Sequence, residues 1–220
     1  MVSFWPRVLL TSMILLAMSG CSKQNWAKAV GVLIDVSGTY KDQLPDVVKI
    51  VNAGILASLD PGDSLFVVLI DDRSYEQANL IASIKLDVRP SKANQQKLET
   101  KQKLQSFAMT ARGSAYSDIS GALLLAAEYL RETGARRQVM LIFSDLQETL
   151  PKGTTRRFGS QDLRSMRVAA LNVIKLKTDN LDPSSYRKRC DEWNARMTHA
   201  GAQELQVIHD INRLPELLAE

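Results

Sequence analysis

Apolar and polar residues fall along this chain in blocks. Residues 29–34, AVGVLI, form an unbroken apolar run rich in β-branched side chains, as in a strand buried on both faces of a parallel sheet. The signature returns at residues 64–70 (SLFVVLI), 138–143 (QVMLIF) and 168–176, with shorter runs at 80–86 and 205–208. Between these runs the period changes. Leu44, Val47, Val48, Val51, Ile55, Leu56 and Leu59 share one helical face, which predicts a helix over 44–58 with Pro45 tolerated in its first turn. Ile119, Ala122, Leu123, Ala126, Ala127 and Leu130 make the clearest buried stripe, in a helix predicted over 118–133 and stopped by Gly134. Sparser patterns predict helices over 92–107, 184–200 and 212–218, and a long loop over 146–164 with a short helix near Gln161. The loop at 71–78 is too short to hold a crossover helix, so the strand after it is expected as an antiparallel edge. Strands alternating with helices predict an α/β fold, a mostly parallel central sheet with helices on both faces.

Chemistry gathers where the strands end. Asp35, Ser37 and Thr39 follow the first strand at alternate positions, Ser117 precedes a helix, and Ser144 and Asp145 follow the strand after that helix. In an open α/β sheet the carboxyl ends of strands are where ligands bind. If those strands are neighbours, two carboxylates and three hydroxyls (Ser37, Thr39, Ser117) meet at one point. Hard oxygen donors with little negative charge suit a partly hydrated Mg²⁺ or Mn²⁺. Hydroxyls hold an ion without neutralising it, leaving Lewis acidity for a carboxylate from outside.

The order and spacing of these residues resemble the metal-ion-dependent adhesion site of von Willebrand factor A-type domains: an Asp-x-Ser-x-Ser sequence, then a threonine, then an aspartate. The resemblance covers residues 29–220 and includes the antiparallel edge strand. It implies that Asp35, Ser37 and Thr39 fill the first cluster, Ser117 the threonine position and Asp145 the last aspartate. Thr39 stands where the family has serine, and Ser117 where it has threonine; both keep the hydroxyl. The implied activity is cation-dependent capture of a protein partner through an acidic side chain, with no bond made or broken. The same fold used as a metal-independent scaffold is the second reading. A third comes from another class: Ile34-Asp35-Val36-Ser37-Gly38-Thr39 also resembles the Asp-x-Asp-Gly-Thr strand of haloacid dehalogenase-like phosphatases. Ser37 stands there in place of the proton-shuttling aspartate, and serine is not a usable acid or base near neutrality. Asp71 and Asp72 also come too early for the metal-binding acidic pair of that class.

Composition narrows the partners. The formal charge is +4, from 28 basic and 24 acidic residues, too small an excess to indicate nucleic acid. His199 and His209 are the two histidines, with neither nucleophile nor metal-ligand spacing near them, and no glycine-rich phosphate loop is present. Arg156, Arg157, Arg164 and Arg167 follow Asp145 as a solvated loop or as a basic rim for an acidic partner; Arg187, Lys188 and Arg189 on the late helix read the same way.

The first residues form a separate unit. Residues 8–18 are apolar but short of the roughly twenty residues that span a bilayer, so residues 1–20 read as a secretory signal. Leu16-Ala17-Met18-Ser19-Gly20-Cys21 resembles the signal of bacterial lipoproteins, with Met18 in place of the usual leucine. That resemblance implies cleavage before a lipidated Cys21, and Ser22 after it implies the outer membrane, the domain facing the periplasm. Residues 21–28 would then be the lipidated cysteine and a tether, and residues 29–220 the domain. With Cys21 acylated, Cys190 has no cysteine to pair with and is expected as a partly buried small hydrophobe.

Overall fold

The computed structural model describes residues 27–203 and 205–219; the signal, Cys21 and most of the tether lie outside them. Strand β1 (Lys28–Asp35) leads to helix α1 (Leu44–Ile50), which runs straight on as a π-helical stretch, Val51–Leu56. Strands β2 (Ser64–Ile70) and β3 (Leu80–Lys85) follow, then helices α2 (Pro90–Thr110) and α3 (Ile119–Glu132). The remaining elements are β4 (Arg137–Phe143), β5 (Arg167–Leu171), α4 (Pro183–His199), β6 (Leu205–Ile208) and α5 (Leu214–Ala219). The sheet order is β3-β2-β1-β4-β5-β6, with β3 antiparallel and every other pairing parallel. From β1 the chain builds outward to β2, then crosses to the other side for β4, so the strand order reverses between β1 and β4. In open α/β sheets that crevice is the ligand site.

Alternate residues of the buried strands feed two apolar layers. Val30, Val32, Ile34, Leu65 and Leu141 pack with Val47, Val51, Leu104 and Leu217 on one face, while Leu33, Val68, Met140 and Ile142 pack with Leu123, Ala126, Trp193 and Met197 on the other. Gly31 sits under α3, where a Cβ would meet Leu130 Cδ1 at 3.4 Å and Ala126 Cβ at 3.5 Å. Its missing side chain lets that helix lie close on the strand. The described residues hold the whole sheet and both layers, which is what a unit that folds by itself requires. Among them no helix is long and apolar enough to cross a membrane.

Some expectations need correction. The apolar run at 168–176 does not remain a strand: β5 ends at Leu171 because Asn172 takes a left-handed φ of 51°, a conformation asparagine tolerates and a strand does not. Around Gln161 the chain makes turns rather than a helix, with Asp162 N donating to Gly159 O and Arg164 N to Gln161 O. The first helix changes to π form after Ile50, and α2 begins at Pro90, which suits a first turn because its missing N–H has no acceptor there. The two edges of the sheet also differ. β3 meets β2 through a register shift between Val67 and Val68, and β6 is only 4 residues long.

Candidate metal centre

The crevice between β1 and β4 receives all five side chains expected there. Asp35 is the last residue of β1, and Asp145 lies two residues beyond β4. Backbone bonds pin the intervening loops: Gly38 N donates to Ser114 O, Ser114 N to Val36 O, and Ser117 exchanges both of its backbone bonds with Thr149. The carboxylate of Asp35 accepts from Ser37 N at 2.7 Å on Oδ1, and from Ser117 Oγ at 3.0 Å and Ser144 Oγ at 2.6 Å on Oδ2. Thr39 Oγ1 donates to Asp145 Oδ2 at 2.6 Å and lies 3.2 Å from Ser37 Oγ. Gln147 N completes the second carboxylate, donating to its Oδ1 at 2.8 Å. Asp35, Ser117, Ser144 and Asp145 are buried, and Gly38 and Thr39 are exposed. The cluster therefore opens to solvent on the Thr39 side.

Sequence reasoning had given Ser144 no role. Its hydroxyl joins the two loops, donating to Asp35 and accepting from Leu146 N at 3.0 Å. The available signal was its place, with Asp145, directly after an apolar strand.

The electrostatics of this cluster are unusual. Burial pushes the Asp35 carboxyl above its ordinary value, the bonds from Ser144 and Ser37 oppose the shift, and the nearby Asp145 charge adds to it. Among the described residues no lysine or arginine side chain forms an ion pair with either carboxylate. The nearest guanidinium, Arg189, donates from Nε to the backbone oxygen of Asp145 at 2.9 Å and places its terminal nitrogens on Asp179. It holds the loop without forming an ion pair to the Asp145 carboxylate.

The surrounding clips are ionic. Asp118, buried at the start of α3, accepts from Gly121 N and pairs with Arg156 at 2.9 Å. Glu148 accepts from Ser120 and pairs with Arg196, whose guanidinium lies 4.0 Å from the Trp193 ring. Arg156 is thus tied into the scaffold, as is Arg189, rather than standing free on the surface. Cys190 is partly buried against the α4 side of the core.

The donor set suits a small hard cation. Two carboxylates and three hydroxyls converge with one open side, and hard oxygen donors with few charges are what a partly hydrated Mg²⁺ takes. Among the described residues no group of three His, Cys, Asp or Glu side chains gathers anywhere, so the fit depends on the mixed carboxylate and hydroxyl set.

Neither a scan against protein-family models nor a search of curated proteins returned a match. Solved structures do match in shape. An aerotolerance-related membrane protein from Bacteroides fragilis NCTC 9343 superposes with a TM-score of 0.52 and 13% identity, over 88% of this chain and 98% of that one. The conserved hypothetical protein BatB from Bacteroides thetaiotaomicron gives 0.51 and 12% identity, over 88% of this chain and 100% of that one. A von Willebrand factor type A structure from Catenulispora acidiphila gives 0.49 and 11%, over 86% of this chain and 40% of that one, too low a score to add weight. At 12–13% identity the two Bacteroides structures speak to the fold alone. The chain shares with them an α/β fold: a six-stranded, mostly parallel sheet with one antiparallel edge and helices on both faces.

Proposed function

We propose that this domain captures a protein partner through a divalent cation held by Asp35, Ser37, Thr39, Ser117 and Asp145, with no catalytic step. The observation that carries this reading is a pair of buried carboxylates met by neutral hydroxyls and, among the described residues, ion-paired to no lysine or arginine. Mg²⁺ or Mn²⁺ bound there would supply a Lewis acid for an acidic side chain of the partner. Thr39 stands on the open side with the buried Ser37 beside it, and both would hold the ion as neutral donors. Asp35 and Asp145 would contribute charge, while Ser144 and Ser117 keep the Asp35 carboxylate aimed. A metal-independent scaffold is the second reading, and one feature favours it: the five side chains already satisfy one another by hydrogen bonds.

Titration calorimetry of the domain with Mg²⁺ and Mn²⁺ tests the choice. The cation reading expects binding heat that disappears in Ser37→Ala; no heat at millimolar cation would overturn a resident ion and leave the scaffold. The same proposal places the domain in the cell envelope, anchored by lipid on Cys21 to the outer membrane and facing the periplasm. The sequence from Leu16 to Ser22 supports this, as does fold likeness to a protein described as a membrane protein. Cys21→Ala should move the protein from the membrane fraction to the soluble one.

A further inference from the structure

The end of the sheet opposite the candidate metal centre carries a different chemistry. The register puts Lys28 beside Arg137, Val139 beside Arg167 and Ser64 beside Lys85, so basic residues stand at one edge on four strands. Arg136 adds an exposed guanidinium just before β4, and Arg164 another just before β5. Against them stand Asp60 and Asp63, both within 4 Å of Lys28 Nζ at 3.9 and 3.7 Å, Asp87, paired with Arg89 at 2.7 Å, Asp162 in the turn that holds Arg164, and the exposed Glu132. Arg136, Arg137, Ser165, Arg167 and Gln203 line a cleft of about 160 Å³ at this edge, with no carboxylate among its described lining residues. Water takes about 30 Å³ in the liquid, so the cleft has room for a phosphate group with its solvent. Arg167 has other engagements, and Arg137 also donates to Ala219 O at 3.0 Å. The exposed pair Arg136 and Arg137 is what a ligand would meet.

We infer that this basal edge is a docking surface for anionic phospholipid, with headgroup phosphates taken up by Arg136 and Arg137. Chain geometry favours lipid over other anions. Residue 21 is seven steps from Lys28, at most about 25 Å of extended chain, and Lys28 stands on this same edge. β1 then rises about 3.3 Å per residue to Asp35, about 23 Å away at the far edge. Lipid at the basal edge therefore leaves the Asp35 crevice pointing outward. The inference shares with the proposed function only the expected anchor at Cys21, and neither the arginine cleft nor its test involves a cation.

The test is co-sedimentation of the domain without its anchor, in chelator, with phosphatidylcholine vesicles and with vesicles containing phosphatidylglycerol. The expected result is binding to the anionic vesicles alone. Each basic side chain at an anionic surface contributes roughly a fivefold gain in partitioning, so Arg136→Ser with Arg137→Ser should weaken binding about 25-fold. An equal charge change at the other edge, Lys41→Ser with Arg112→Ser, should leave it within about twofold. Arg136→Ser alone, at an exposed position, should lose about fivefold with unchanged thermal unfolding. Equal losses from both double variants would overturn the assignment to this edge, as would absence of preference for phosphatidylglycerol. Displacement by millimolar inorganic phosphate would make the cleft a site for free phosphate and overturn the lipid assignment. Because chelator is present throughout, failure here leaves the cation reading untouched, and the reverse holds too.

Discussion

Two buried carboxylates near the carboxyl end of the sheet meet opposite fates. Asp179 is clamped by both terminal nitrogens of Arg189, at 3.1 and 2.8 Å, and that bonding holds its carboxyl below the ordinary value. Asp35 is met by hydroxyls and a backbone N–H instead, and burial pushes its carboxyl up. Arg189 touches the backbone of the neighbouring Asp145 but gives its terminal nitrogens to Asp179. A carboxylate that serves only the fold is paired with a fixed cation, because burying it unpaired is costly. One that is met by hydroxyls and a backbone N–H, with no fixed cation paired to it among the described residues, is held above its ordinary value by burial.

The contrast gives ordered predictions. The largest effect is expected for Arg189→Ala, which removes both charge-assisted bonds to Asp179. A loss of about 3 kcal/mol is expected, read by urea unfolding in chelator. Asp35→Asn should lose little or gain under the same conditions, since the Ser117 and Ser144 hydroxyls can turn to accept from the new amide. Equal losses in the two variants would erase the distinction. Next comes cation affinity: Asp145→Ala should lower it at least about a hundredfold by calorimetry, whereas Ser144→Ala, which removes only a group that orients Asp35, should cost about tenfold.

The smallest effect is in pH dependence. The raised Asp35 carboxyl makes its ionised form a burden on the empty fold. Its contribution to stability is therefore present at low pH and lost as pH rises through its folded value. Asp179 has the opposite sign: its contribution is present above the ordinary value of 3.8 and lost as pH falls toward its lowered one. In chelator, any stability advantage of Asp35→Asn over the parent should shrink as pH drops from 7 toward 4, while the deficit of Arg189→Ala should stay flat until pH passes below 4. Parallel pH curves for the two variants would contradict the assignment of charge.

Much of this was legible in sequence because it depends on short-range pattern. The apolar runs at 29–34, 64–70 and 138–143 could be buried only as central strands, and once β1 and β4 are neighbours, Asp35 and Asp145 must meet. What lay hidden depends on contacts between residues far apart in the chain. Arg189 is 44 residues from the carbonyl it holds, and Arg156 is 38 from Asp118; no local period marks either partner. The end of β5 was misread for a different reason. Val173 and Ile174 continue the apolar run and are partly buried against the core, but as a loop after the turn at Asn172. Hydrophobicity reports burial there, and only the backbone angle reports that the ladder has stopped.

The unlike edges of the sheet have a consequence for crowding. A row of unpaired backbone groups is a template on which another copy can zip when copies are concentrated. Here one border is kinked by the register shift at Val67 and Val68, and the other offers only 4 residues before its strand ends. Neither is long and flat enough to seed a growing ribbon. Many copies can therefore share a small area as separate units, each keeping its own crevice open to solvent.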